Sequence, residues 1–168
     1  MTARFTPSPK NQNGRGVEVN DVERDELHSV AVSAVVTDPS GRVLLMRRRD
    51  YGNWEPPGGV LKRHEPPQDG VAREIHEETG VGIALGKLSG VYKNVTTGVL
   101  TLVFRAEGVS GASKETDEAG AVSWVDPDEL DGLLHPEYLR WVQDGLEGSP
   151  AVVRTQEATV KGASAFPD

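Results

Sequence analysis

The sequence predicts an α/β fold, with a mixed β-sheet covered by helices, in one domain. Four segments rich in apolar and β-branched residues, 28–36, 43–46, 82–92 and 99–106, read as strands. A helical segment at 69–79 falls between the first pair and the second, and that order is the one a layered α/β domain requires. The length of 168 residues suffices for one domain with a real core and is too short for two ordinary ones.

Residues 1–20 are rich in Pro, Asn, Gly and Ser and lack apolar periodicity, so they are expected to form a flexible tail ahead of a domain spanning 21–158. The first strand, His28 to Val36, is followed by turn residues in Asp38-Pro-Ser-Gly41 and by a returning strand at Val43–Met46, which together predict a hairpin. Arg47, Arg48 and Arg49 end that strand, and alternation sends Arg48 to the face opposite the other two. Any of the three is a candidate for a substrate phosphate or for a solvated patch at the sheet edge. Tyr51 and Trp54 follow, as aromatics that either stack on a base or pack beside the Pro56-Pro57 turn.

The helix at 69–79 has Pro66, Pro67 and Asp69 to start it and Gly80 to stop it, and it should bury Val71, Ala72 and Ile75. Gly82 to Tyr92 reads as a loop and a short strand; Val95-Thr-Thr-Gly98 is a hairpin loop, and Val99–Ala106 is the strongest strand. A polar loop from Gly108 to Gly120, a candidate lid, leads to a strand at Val122–Val125. A short helix begins at Asp126, with the acid as its cap and proline at its first position. A second helix runs from Pro136 to about Leu146 with Leu139, Val142 and Leu146 on one face, and Ala151–Val153 adds a strand before a tail at 159–168.

The stretch from Gly59 to Val81 carries the chemistry. Glu74, Glu77 and Glu78 stand at i, i+3 and i+4, so their carboxylates emerge side by side near the negative end of the helix. Like charges at this spacing cost about 0.2–0.5 kcal/mol. A hard divalent cation removes that cost, since clustered carboxylate oxygens are the ligands Mg²⁺ or Mn²⁺ prefers. The competing reading is a solvated acidic face. The Pro-Pro-Gly-Gly turn, the isolated Glu65 and Arg73 favour an ion-binding assembly.

These residues resemble a known family. From Gly59 to Val81 the chain matches the Nudix box, G-x5-E-x7-R-E-U-x-E-E-x-G-U with U aliphatic, through Gly59, Glu65, Arg73, Glu74, Ile75, Glu77, Glu78, Gly80 and Val81. The lead-in at 44–59 and the segment 122–130 are similar to the family's as well. The resemblance implies a Nudix-type α/β/α sandwich and metal-assisted hydrolysis of a diphosphate linkage in a nucleoside diphosphate derivative. Glu74, Glu77 and Glu78 would be the metal ligands and Mg²⁺ or Mn²⁺ the cofactor. Glu77, Glu118 and Arg73 are the candidate catalytic residues. Glu77 or Glu118 would take the proton of water, with Glu115 and Asp117 competing for the late-loop role. Arg73 would orient the ligands through Glu65 or a box glutamate. Gly59 and Arg48 are the candidate phosphate contacts, and Glu65 the supporting carboxylate.

Composition narrows the partners. A net charge of -8 argues against extended nucleic acid or an anionic membrane surface. No apolar run is long enough to span a bilayer and no segment suits a secretory signal, so a cytoplasmic protein is expected, with a homodimer admissible. The absence of cysteine excludes disulfides and thiol catalysis, and makes the chain less similar to isopentenyl diphosphate isomerases. His64 and His76 lie in the box at unrestricted positions and are expected on the surface. The family's signatures for particular substrates are missing: Thr96 stands near where ADP-ribose hydrolases often carry proline, and 97–99 lack the tyrosine of diadenosine polyphosphate hydrolases. ADP-ribose, a nucleotide sugar or an oxidised nucleotide is therefore an admissible substrate. The alternative is a non-catalytic Nudix-fold module that senses a nucleotide; such proteins usually lose box glutamates, and this chain keeps them.

Overall fold

The computed structural model describes residues 28–111, 116–117 and 119–157. Within them one sheet of eight strands lies between two helices: β1 (Ser29–Thr37), β2 (Val43–Arg48), β3 (Trp54–Glu55), β4 (Gly58–Val60), α1 (Pro67–Thr79), β5 (Gly82–Asn94), β6 (Val99–Ser110), β7 (Ala119–Val125), α2 (Pro136–Leu146) and β8 (Val152–Gln156). A 3₁₀ turn at Pro127–Glu129 stands where a short helix is expected, and Asp126 makes no side-chain cap there. The expected tails fall outside the described residues.

The sheet is mixed. β1 runs parallel to β6, β5 runs antiparallel to β6 and parallel to β8, and β2 is flanked antiparallel by β3 and β7. The expected hairpin of β1 and β2 is confined to one pair, Thr37 with Val43, at the turn where Asp38 accepts the amides of Ser40 and Arg42. Beyond it β1 pairs with β4 and β6, while β2 turns away to β7. Alternation marks a strand but does not choose its neighbour.

Each face of the sheet is apolar, as a strand covered on both sides requires. Val32, Ala34, Val36, Leu44, Phe104 and Ala106 pack with Val71 and Ile75 of α1. Val35, Val43, Leu45, Tyr92 and Val103 pack with Val142 of α2. Ala72, expected in the α1 face, is only half-buried. Among the described residues no helix is long and apolar enough to cross a membrane.

Helix α2 starts and stops where expected, but Leu146 is 41% exposed. The contact falls instead on Gly145, where a Cβ would stand 2.6 Å from Cγ2 of Val35. The helix C-terminus is held in that approach by Arg105, whose guanidinium donates to the carbonyls of Asp144, Gly145 and Ser149. Gly145→Val therefore overpacks the contact and should lower the free energy of urea unfolding by about 1–3 kcal/mol; unchanged stability would contradict this packing.

Candidate active site

Helix α1 begins at Pro67 behind Pro66 and ends at Gly80, whose φ of 73° is the left-handed conformation that lets the chain turn directly into β5. Its inner face is clamped by Val71 and Ile75, so the carboxylates of Glu74, Glu77 and Glu78 are carried on a fixed rod. They differ sharply in setting. Glu78 is 3% exposed, and accepts a 2.8 Å hydrogen bond from the backbone N–H of Gly58. Glu74 is 14% exposed in its side chain and lies against Gly59, where a Cβ would stand 2.5 Å from the Glu74 carboxyl carbon. Glu77 is 57% exposed.

Arg73 joins most of this constellation. Its Nε donates to Oε1 of Glu65 at 2.7 Å and its Nη2 to Oε2 at 2.9 Å, a bidentate pair. Its Nη1 lies 2.7 Å from Glu74 and 3.0 Å from Glu77. The charge-assisted bonds from Arg73 hold the Glu65 carboxyl down to a pKa of about 2. Among the described residues no three acidic or histidine side chains converge into a ready metal cage. The reason is visible in the partners: Arg73 draws Glu74 and Glu77 to itself, and the Gly58 amide takes Glu78. The donor set nonetheless fits Mg²⁺, which typically takes one or two carboxylates and completes its shell with water and substrate phosphate. Glu74 and Glu78, meeting the same Gly58–Gly59 turn from one helix, would supply that pair.

Glu118 and Glu115 lie outside the described residues, whereas Asp117 is exposed. The described part of the expected lid is anchored: the Thr116 hydroxyl donates to the carbonyl of Glu78, and Arg49 donates to the carbonyl of Thr116. His64 and His76 are exposed.

A register shift between Arg47 and Arg48 interrupts the alternation on which the arginine expectation rests. Arg47 lies 6.0 Å over the Trp54 ring. Arg48 makes a bidentate pair with Asp50 at 2.8 and 3.2 Å, stacks on Tyr51, and stands 3.9 Å from Glu55. It faces an open cleft between the sheet and α2. Tyr51, Glu55, Tyr138, Trp141, Glu137 and Gln156 line it, and so does Gly58. The cleft and the box carboxylates thus share one peptide, because the Gly58 amide that borders the cleft bonds to Glu78.

Sequence reasoning missed most of this wall. Glu55 was legible only as part of the lead-in, yet it is 8% exposed and meets the Tyr51 hydroxyl at 3.3 Å. Burial pushes its pKa up to about 7, against the opposing hydrogen bond from Tyr138 and the charge of Arg48. Burial also raises the pKa of Glu137, whose Oε1 is buried without a hydrogen-bond partner among the described residues. The one available signal was Tyr138 and Trp141 at i and i+3 on one helix face.

The family model for the NUDIX domain matches residues 27–145. A MutT-like protein of Streptomyces ambofaciens is 45% identical over 131 residues, covering 78% of this chain and 85% of its own. A putative 8-oxo-dGTP diphosphatase of Bacillus subtilis is 28% identical, over 75% of this chain and 85% of its own. Among solved structures, a NUDIX hydrolase from Nitrosomonas europaea superposes with a TM-score of 0.68 at 21% identity, covering 78% of this chain and 80% of that one, and so shares the fold.

The Glu55 carboxyl has a raised folded-state pKa, so the folded protein holds a proton that the unfolded chain releases at a lower pH. That contribution is full below about pH 4.5, the ordinary value, and is lost as pH rises through about 7. Glu55→Gln should abolish this slope: between pH 5 and 8, wild type should lose up to about 3 kcal/mol of unfolding free energy relative to the variant. Parallel stability curves for the two proteins would contradict the burial of an ionisable Glu55.

Proposed function

The chain belongs to the Nudix hydrolase family, and from that premise we propose that it hydrolyses the diphosphate linkage of a nucleoside diphosphate derivative with a divalent cation. The observation that carries this reading is the shared peptide: the Gly58 N–H ties Glu78 to the border of an aromatic cleft. Phosphates and nucleoside then have adjacent places of opposite character.

The cleft suits a nucleoside rather than phosphate. Its cation, Arg48, is already paired with Asp50 and lies near Glu55, and two carboxyls share the lining. An anionic phosphate gains little there, whereas a flat, uncharged base finds Tyr51, Tyr138 and Trp141. The phosphates belong at the Gly58–Gly59 turn. There Glu74 and Glu78 would hold Mg²⁺ or Mn²⁺, with Glu77 beside them. When bound, such a cation neutralises the phosphate oxygens and lowers the pKa of the attacking water.

The chain's own groups do the rest. Glu77, the most exposed of the three carboxylates, would accept the proton of water as the water oxygen bonds to phosphorus and the bridging P–O bond breaks, its electrons going to the leaving oxygen. Glu118 is the other candidate for that proton. Arg73 holds Glu65, Glu74 and Glu77 in fixed relation and acts as a positioning residue. Gly59, with no side chain, leaves room for the Glu74 carboxylate, and any phosphate contact there is made through its backbone.

A panel of ADP-ribose, nucleotide sugars, dinucleoside polyphosphates and an oxidised nucleoside triphosphate, assayed with Mg²⁺, Mn²⁺ and chelator, tests the reading. Metal-dependent release from one class is expected. Glu78→Gln, which keeps an oxygen for the Gly58 amide, should lower kcat by several orders of magnitude with the fold intact. Nucleotide binding without cleavage would replace this reading with that of a sensor.

A further inference from the structure

We propose that β8, a strand beyond the segment matched by the family model, sets the substrate's base selectivity, with Gln156 as the positioning residue that fixes the Trp141 and Glu137 wall of the cleft. The inference rests on the nucleoside reading of that cleft.

Strand β8 is the edge of the sheet and its residues alternate with the period of two that a strand imposes. Val153 points outward, 83% exposed. Val152, Arg154 and Gln156 point inward and meet α2 in succession. Val152 packs into the core beside Val142. Arg154 makes a bidentate pair with Asp144, both bonds at 2.7 Å, and Asp144, 3% exposed, also accepts from the Tyr92 hydroxyl at 2.8 Å. Gln156 then reaches the cleft. Its Oε1 accepts from the indole Nε1 of Trp141 at 3.1 Å, and its Nε2 donates toward the carbonyl of Glu137 at 3.4 Å. Its backbone carbonyl accepts from Val95 in the loop that follows β5.

Covering the edge of β5 needs only the backbone of β8. An amide side chain directed at two residues of one cleft wall is not required for that, and it has a specific consequence. The indole ring packs on Tyr92 with centroids 5.4 Å apart and on Tyr138 at 5.1 Å, contacts that any rotamer of similar shape could make. The hydrogen bond from Nε1 is directional and selects one side-chain rotamer. A base entering the cleft therefore meets a wall of preset position, and preset walls discriminate better than adaptable ones because they do not re-pack around a base that fits poorly. The Arg154–Asp144 pair secures the strand that carries the amide.

The products of diphosphate cleavage provide the probe. Calorimetric titration of the full chain with AMP, GMP, CMP and UMP should show one base preferred, with Trp141→Phe weakening it. Gln156→Ala should weaken the preferred monophosphate about three- to tenfold, as loss of one hydrogen bond implies, and flatten the ratio among bases. Its KM should rise by a similar factor with kcat unchanged and the variant still folded, and in the Trp141→Phe background the effect should shrink. Wild-type affinity and ratio in Gln156→Ala would overturn the role of β8 while the nucleoside reading stands. Failure of wild type to bind any of the four, or indifference to Trp141→Phe, would overturn the nucleoside reading and this inference together.

Discussion

The structure depends on the close contact between one glycine turn and one helix. Gly58 and Gly59 run so near α1 that Glu78 reaches the first through its N–H and the Glu74 carboxylate fills the space a side chain would take at the second. The other side of the turn is equally tight: a Cβ on Gly58 would stand 2.3 Å from the carbonyl oxygen of Val32 in β1. The turn is therefore held between sheet and helix, and it transmits the position of the sheet to the carboxylates. Three like charges at the negative end of a helix would otherwise drive their side chains apart. Arg73 offsets part of that repulsion, and its bidentate hold on Glu65 fixes the arginine in turn.

The same turn divides the site into regions of different chemistry. On one side lie carboxylates suited to a hard cation; on the other lies an aromatic cleft whose carboxyls resist ionisation because they are buried. A phosphorylated nucleoside has both characters in one molecule. The mixed sheet makes this adjacency possible, since β1 pairs with β4 on one edge and with β6 on the other, presenting α1 to one face and α2 to the opposite one.

What the sequence discloses follows the range of each interaction. Both helices are legible because their signals are local: Pro67 and Gly80 bound α1, and Pro136 starts α2. The box is legible because its residues share one turn and one helix, and its spacing carries the family. β3 and β4 are not legible. They are short, and Gly58–Gly59 opposes strand propensity; only pairing with β2 makes a strand of β3, and only pairing with β1 makes one of β4. The cleft escapes for a related reason. Glu55, Tyr138, Trp141 and Gln156 come from β3, α2 and β8, and no local spacing connects them. The exposure of Leu146 is the helical counterpart, because the apolar period ignores that Gly145 permits the closer approach. Glu118, placed by family resemblance, lies outside the described residues.

The most direct measurement is kcat/KM of Gly59→Ala beside its melting temperature, using whichever diphosphate the enzyme cleaves. The added methyl would meet the flexible end of Glu74 rather than backbone, so the fold can accommodate it by moving the carboxylate. A folded variant with turnover reduced about 10²-fold, the scale expected when a reacting group is displaced by about 1 Å, is the result predicted. A folded Gly59→Ala enzyme with wild-type turnover would contradict the claim that this contact positions the catalytic carboxylates.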